Sequence, residues 1–256
     1  MNSDVRVDTV DATNVAELGF FCRKSKPKEP GYQRKLGWLR QRFAEGMKLR
    51  ILYEDGRSVG YIEYVPGESA WRAIRASGYA VIHCLWVVGR AKGKGYGSRL
   101  LNDCIEDARR MQMHGVAVVT SDAPWLPGRK LFLRQGFEPV GEAPPSFALL
   151  VRKFGDAPSP AFPTDWEKRL GHYGQGLTVF RSDQCPYTDD AANTAVEAAA
   201  ELGIESRVIE FGSSREAQDS APSAYGTFSI VHEGKLLSYH YLLKEQLLQR
   251  LARPSS

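Results

Sequence analysis

Apolar and polar residues alternate along several short stretches of the chain and recur at helical spacing in others. Val5–Val10, Lys48–Glu54, Ser58–Val65 and Tyr79–Val88 read as strands from their alternation and β-branched content. Leu100, Leu101, Cys104, Ile105 and Ala108 lie three and four apart, which predicts a helix from Tyr96 to Met113. Helices are also predicted over Val15–Cys22 and Tyr32–Glu45, a strand over Val116–Thr120, a short helix over Leu126–Gln135 ended by Gly136, and closing strands over Phe137–Gly141 and Phe147–Phe154. Farther on, a helix over Trp166–His172 precedes a strand at Leu177–Arg181. An alanine-rich helix over Asp189–Leu202 stops at Gly203, and a strand follows at Arg207–Phe211. Thr227–His232 and Leu236–Tyr241 turn at Glu233-Gly234 as a hairpin, and Lys244–Leu251 makes a last helix.

The proline-rich run Asp156–Thr164 suits neither a helix interior nor a central strand, so it divides the chain into a domain at 1–155, a linker at 156–164 and a second domain at 165–256. At 256 residues, 43% apolar and 25% charged, there is material for one large core or two modest ones. Charge sharpens the division. Cut at Gly155, the halves carry +9 and −5, an asymmetry that suggests an anionic ligand for the first or simply a solvated basic face. The longest stretch without Asp, Glu, Lys or Arg, Ala76–Gly89, has 14 residues, against roughly 20 for a membrane span. The amino terminus lacks the basic start and apolar run of a secretory signal, so a cytoplasmic protein without a membrane partner is expected. Cysteines at 22, 84, 104 and 185 form no Cys-x-x-Cys pair, which predicts reduced thiols and no bound metal. No zinc pattern, recognition helix or aromatic RNA motif accompanies the basic half, so no nucleic-acid partner is expected.

The most informative segment runs from Leu85 to Leu101: a strand, the turn Gly89-Arg90-Ala91-Lys92-Gly93-Lys94-Gly95, and a helix opening at Tyr96-Gly97-Ser98. Glycines let backbone N–H groups approach an anion, and the helix adds the positive end of its dipole, which makes a pyrophosphate cradle. Lys92 and Lys94 add charge. At Lys92, Gly95 and Gly97 the run resembles the signature of the GNAT superfamily of acyl-CoA N-acyltransferases: Gln or Arg, two residues, Gly, one residue, Gly or Ala. Lys92 departs from Gln or Arg but leaves the backbone cradle intact. The runs His83–Gly89, Ser182–Tyr187 and Gly31–Lys35 further resemble YoaP-like GNAT proteins, which join an acetyltransferase domain to a small thioredoxin-like domain. The resemblance implies an α/β (α+β) fold with a mixed, mostly antiparallel sheet, followed by a small thioredoxin-like α/β domain. It implies acetyl-CoA as co-substrate, an amine acceptor, and a role for Leu85, Val87 and the loop residues Lys92, Gly93, Lys94, Gly95, Tyr96, Gly97 and Ser98 in binding it. The strand before the loop would pair with the pantetheine arm, and the Val87 N–H would polarise the thioester carbonyl. Gly97→Asp is expected to abolish CoA binding and leave the fold largely intact.

Acyl transfer to an amine needs the neutral amine, and deprotonating a lysine-like ammonium at pH 7 costs roughly 4.6 kcal/mol. His83 is the first candidate base, since strand alternation would place it on one face with Leu85 and Val87; the other reading is a core histidine bonded to a neighbour. Glu63, within Tyr61-Ile62-Glu63-Tyr64, is the second candidate: a base, a holder of the substrate ammonium, or a residue facing water. Many GNAT proteins carry a tyrosine that protonates the leaving thiolate, and Phe132 stands at the matching place here. Trp38, Trp71, Trp86 and Trp125 could line an acceptor pocket or simply pack. In the second half, Cys185-Pro186-Tyr187-Thr188 resembles the active-site turn of glutaredoxins with the resolving cysteine replaced by Thr188, and Gly226-Thr227 stands where the cis-proline would be. Disulfide exchange is therefore not expected, although a helix N-terminus can favour a Cys185 thiolate.

Overall fold

Seven strands, the central ones buried along most of their length, make the first sheet: β1 (Val5–Val10), β2 (Lys48–Glu54), β3 (Arg57–Pro66), β4 (Tyr79–Val87), β5 (Gly115–Ser121), β6 (Glu138–Ala143) and β7 (Phe147–Lys153). Their order is β1-β2-β3-β4-β5-β7-β6, and every neighbouring pair is antiparallel except β4 with β5. The computed structural model describes residues 4–122 and 125–252. It divides into a first unit of Met1–Pro27, Leu36–Ala70 and Ile74–Phe162 and a second of Lys28–Lys35, Trp71–Ala73 and Pro163–Ser256.

In the first unit, α1 (Val15–Leu18) is shorter than its pattern predicts because Gly19, at φ +64°, ends it. Helix α2 (Pro30–Arg42) continues as a 3₁₀ turn over Phe43–Glu45, its first residues belonging to the second unit. Helix α3 (Tyr96–Arg110) buries Leu100, Leu101, Cys104, Ile105 and Ala108, the predicted stripe, against Ile62, Tyr64, Ala80, Ile82, Val116 and Val118 of the sheet. One polar group joins this face: Asp107 accepts from the Tyr64 hydroxyl and from Arg50 and Arg110. Helix α4 covers only Lys130–Arg134, since Pro127 and Gly128 exclude the predicted first turn. The proline-rich run does not leave the first unit at residue 155. Ala161 bridges to Arg75 through two backbone bonds of 2.8 and 3.0 Å, and the Tyr79 hydroxyl donates to Pro158 O at 2.9 Å.

The second unit has α5 (Trp166–Gly171), β8 (Leu177–Arg181), α6 (Thr188–Glu201), β9 (Ser206–Glu210), α7 (Ser214–Ser220), β10 (Phe228–His232), β11 (Lys235–Ser238) and α8 (Lys244–Leu251). Its sheet runs β11-β10-β8-β9, with β8 and β9 parallel and the other pairs antiparallel. Helix α7 is absent from the periodicity reading, yet its capping signal is in the sequence. The Ser213 hydroxyl accepts from Glu216 N–H, and the Glu216 carboxylate accepts from Gly212 N–H. Among the described residues, no helix is long and apolar enough to cross a membrane.

Candidate functional site

Strands β4 and β5 pair only from Tyr79↔Gly115 to Ile82↔Val118. Beyond that point β4 stays with β3, as far as Val87↔Gly60, while β5 stays with β7, as far as Ser121↔Phe147. The sheet therefore parts at His83. The same residue is a bulge: Glu63 pairs with Cys84 and Tyr64 with Ile82, which leaves His83 as the extra residue on β4.

The bulge overturns the expected alternation. Ala80 and Ile82 before it and Leu85 and Val87 after it all pack into the core beneath α3, three residues apart rather than two. His83 is thus not on the face of Leu85 and Val87. Its Nδ1 lies 3.4 Å from Oε1 of Glu63, a residue outside that core, and its ring stands 6.4 Å from that of Trp38. His83 and Glu63 are only 1% and 2% exposed, so Glu63 does not face water. Tyr61, two residues before Glu63 and on its face of β3, stacks on Phe21 at 4.9 Å, and its hydroxyl lies 3.3 Å from Cys22 Sγ. Burial, then the neighbouring Cys22 and Cys84, holds the Tyr61 phenol well above its ordinary pKa, so it stays protonated. Of these surroundings, Phe21 and Cys22 escape sequence reasoning because nothing local ties them to β3. Tyr61 could have been found from its two-residue offset.

Backbone direction favours the gap. Val88 N–H donates to Val59 O of β3 at 2.9 Å. Successive N–H groups of a strand point to opposite edges, so those of Leu85 and Val87 lie on the edge away from β3.

The glycine turn is built as its sequence suggests. Gly93 and Gly95 have φ of +84° and +80°, and a Cβ on either would meet nothing within 4 Å. Gly95 caps α3, whose first turn holds no acidic residue of its own to offset the positive dipole end. The two lysines differ. Lys92 Nζ lies 5.4 Å over the ring of Trp86, which is 52% exposed, whereas Lys94 is tied to Glu54 of β2 at 2.8 Å. Tyr96 also donates to Glu54, and these two bonds hold the Glu54 carboxyl below its ordinary pKa. Beside them a hollow of about 300 Å³ is lined by Glu54, Asp55, Arg57, Val59 and Arg90. Gly97 plays another part: it is an ordinary helical residue whose Cβ would stand 3.2 Å from Leu131 Cδ2, so it admits α4 against α3. Ser98 is part of the first turn of α3.

Phe132 is fully buried, its ring edge-on to Phe137 at 5.3 Å, and brings no hydroxyl. Trp71 belongs to the second unit, and Trp125 is partly exposed. Around Cys185, the Thr188 hydroxyl turns back onto the carbonyls of Ser182 and Cys185 at 2.9 and 2.8 Å. Asp189 and Asp190 occupy the first turn of α6. Arg181, buried, donates to Asp189 at 2.7 Å and to Glu210, and Arg34 lies 3.3 Å from Asp189. Gly31 packs so closely that its Cβ would stand 2.3 Å from Pro186 O.

Residues 12–137 match the model of the acetyltransferase (GNAT) family. The chain is 33% identical over 246 residues to the protein named Uncharacterized N-acetyltransferase YoaP of Bacillus subtilis (strain 168), covering 93% of this chain and 96% of that one. It is 31% identical over 80 residues to the L-methionine sulfoximine/L-methionine sulfone acetyltransferase of Salmonella typhimurium (strain LT2), 31% of this chain and 44% of that one. A solved structure of PaiA N-acetyltransferase from Thermoplasma acidophilum, in complex with coenzyme A, covers 59% of this chain and 99% of its own at 11% identity and a TM-score of 0.43.

Proposed function

The chain belongs to the GNAT acetyltransferase family, and from that premise we propose that it transfers the acetyl group of acetyl-CoA to a primary amine by direct attack. The parting of β4 from β5 at His83, beside a glycine turn with open space over Gly93 and Gly95, is the observation that carries this reading. The turn and the start of α3 supply backbone N–H groups and dipole to the phosphates, with Lys92 as the added charge. The N–H groups of Leu85 and Val87 serve the pantetheine arm and the thioester oxygen.

Glu63 and His83 take the ammonium proton together. The freed nitrogen pair attacks the thioester carbon, the C–S bond breaks, CoA leaves as thiolate, and the surplus proton on the nitrogen passes to that thiolate. A thiol with an ordinary pKa of about 8.5 leaves without an acid, which suits Phe132 at the family's tyrosine position. The buried Glu63–His83 pair, with Trp38 near His83 and Tyr61 stacked on Phe21, favours an amine with an apolar or aromatic body. The second unit's sheet order, with one parallel pair and an antiparallel hairpin, supports the thioredoxin-like reading of 165–256. The test is free-thiol release from acetyl-CoA across a panel of amines. Acceleration by at least one arylalkylamine or alkylamine is expected, and no acceleration by any amine would leave an acyl-CoA-binding protein without transfer.

A further inference from the structure

The proposed acyl transfer leaves a buried arginine of the second unit unused. Arg72 lies within the long connection between β3 and β4 and is 0% exposed. Its Nη1 donates to the Thr227 hydroxyl at 2.6 Å and to the Trp71 carbonyl at 2.8 Å, and lies 3.4 Å from Gln184 Oε1. The guanidinium carbon stands 4.9 Å over the ring of Tyr225. Thr227 and Gln184 are themselves bonded at 2.9 Å, which fixes both oxygens before the arginine meets them.

The main chain is fitted as closely as the side chain. Gly226 has φ +70°, and a Cβ there would stand 2.7 Å from Arg72 Cα, 2.8 Å from Trp71 O and 3.0 Å from Ala73 N. Trp71 and Ala73 are buried on either side. Glycine at 226 is thus the residue that lets another backbone lie against this turn. Sinking a guanidinium is costly unless its donors meet fixed acceptors and its flat faces meet an aromatic ring. Gln184 and Thr227 meet Nη1, and Tyr225 meets the flat face.

We infer that Gln184 and Tyr225–Thr227 form a seat for a bent peptide centred on arginine, and that the chain's own Trp71-Arg72-Ala73 occupies it. The ligand class follows from the chemistry. A guanidinium lays its flat face over the Tyr225 ring while its Nη1 donates to the Thr227 hydroxyl and meets Gln184 Oε1, and a lysine ammonium has no flat face to stack. Occupied from within the chain, the seat is closed to other peptides.

The test uses the full chain. In Gly226→Ala, which keeps Arg72 but blocks the backbone, amide protection over 71–73 should fall at least tenfold and trypsin should cut after Arg72, while β8 and β10 keep their protection. Arg72→Ala should do the same, and the peptide acetyl-Ala-Trp-Arg-Ala-Ile-amide should then raise the melting temperature of that variant but not of the wild type. The same peptide with alanine for arginine should have no effect. Unchanged protection over 71–73 in both variants overturns the inference, as does equal action of the alanine peptide. Should Arg72→Ala fail to fold, Arg72→Lys decides: loss confined to 71–73 supports the stacked guanidinium, and wild-type protection overturns it.

Discussion

Two corners of the molecule share one local plan, a strand running through a turn into a helix, and they end in opposite chemical states. At the first, β4 leads through Gly89–Gly95 to α3, whose opening turn has no acidic residue and whose glycines leave space above them. At the second, β8 leads through Ser182–Tyr187 to α6, where Asp189 and Asp190 already face the positive end of the dipole and Thr188 folds back on the turn. Gly31 packs against the Pro186 carbonyl of that turn. A helix N-terminus is thus not a site in itself. What stands in its first turn and over its turn residues decides whether an anion has anywhere to go.

The strongest way to break this comparison is to give the first corner what the second has. Gly93→Asp places a carboxylate in the open space of the turn at a φ that aspartate tolerates for about 1 kcal/mol. Acetyl-CoA binding by calorimetry should fall at least a hundredfold with a nearly normal melting curve; unchanged affinity would remove the phosphate role of the turn. This replaces Gly97→Asp as the clean test, because a side chain at 97 also presses on Leu131.

Next in size is the pair where the sheet parts. Glu63→Gln and His83→Gln should each lower kcat by about a hundredfold, the scale of general base catalysis, with acetyl-CoA KM changed less than threefold. Because the two side chains are 3.4 Å apart and act as one unit, the double variant should be little worse than either single one. Multiplying effects would separate their roles, and unaltered rates in both would mean that the amine arrives neutral.

The strands were legible because alternation is local: β1, β2, β8 and α8 begin and end where their patterns do. The stripe on α3 and the glycine turn were legible for the same reason. His83 was misplaced because a bulge adds one residue and reverses every later side chain, and nothing in His83-Cys84-Leu85 announces it. The surroundings of the Glu63–His83 pair include Trp38 near His83 and Phe21 on Tyr61, which approach from other elements. Arg72 is the extreme case, since an arginine in a loop reads as solvated until the fold brings Thr227 and Tyr225 to it. Helix α7 was a different failure, because Ser213-Ser214-Arg215-Glu216 is a capping box in plain sequence.

A smaller effect probes what anchors α3 behind the first corner. Burial alone would raise the Asp107 carboxyl, but bonds from Tyr64, Arg110 and Arg50 outweigh it and lower the pKa below the ordinary value. A carboxylate lowered on folding stabilises above its unfolded pKa of about 3.9 and loses that contribution as pH falls through the folded value. Asp107→Asn should cost about 1–3 kcal/mol at pH 7, the scale of hydrogen bonds to a charged group, and should flatten the acid limb of stability below pH 4. Equal destabilisation at pH 7 and pH 3 would assign the effect to packing instead.

The smallest expected effect belongs to the second corner. Cys185→Ser should leave acetyl transfer within twofold of the wild type, and neither form should reduce insulin disulfides. Under the proposed thioredoxin-like reading Thr188 takes the place of a resolving thiol, and its hydroxyl is spent on the carbonyls of Ser182 and Cys185. Gly226 takes the place of the cis-proline in the same reading, and the space a side chain would need there is filled by the backbone of Trp71-Arg72-Ala73. The dipole argument for a favoured thiolate is weakened by Asp189 and Asp190, which share that helix end, although Arg181 and Arg34 hold Asp189 to one side. Reaction of Cys185 with a thiol reagent against pH separates the two influences: a midpoint near 8.5 means that the carboxylates cancel the dipole, while a midpoint two units lower, together with insulin reduction lost in the serine variant, would make the second corner a redox site and end its contrast with the first.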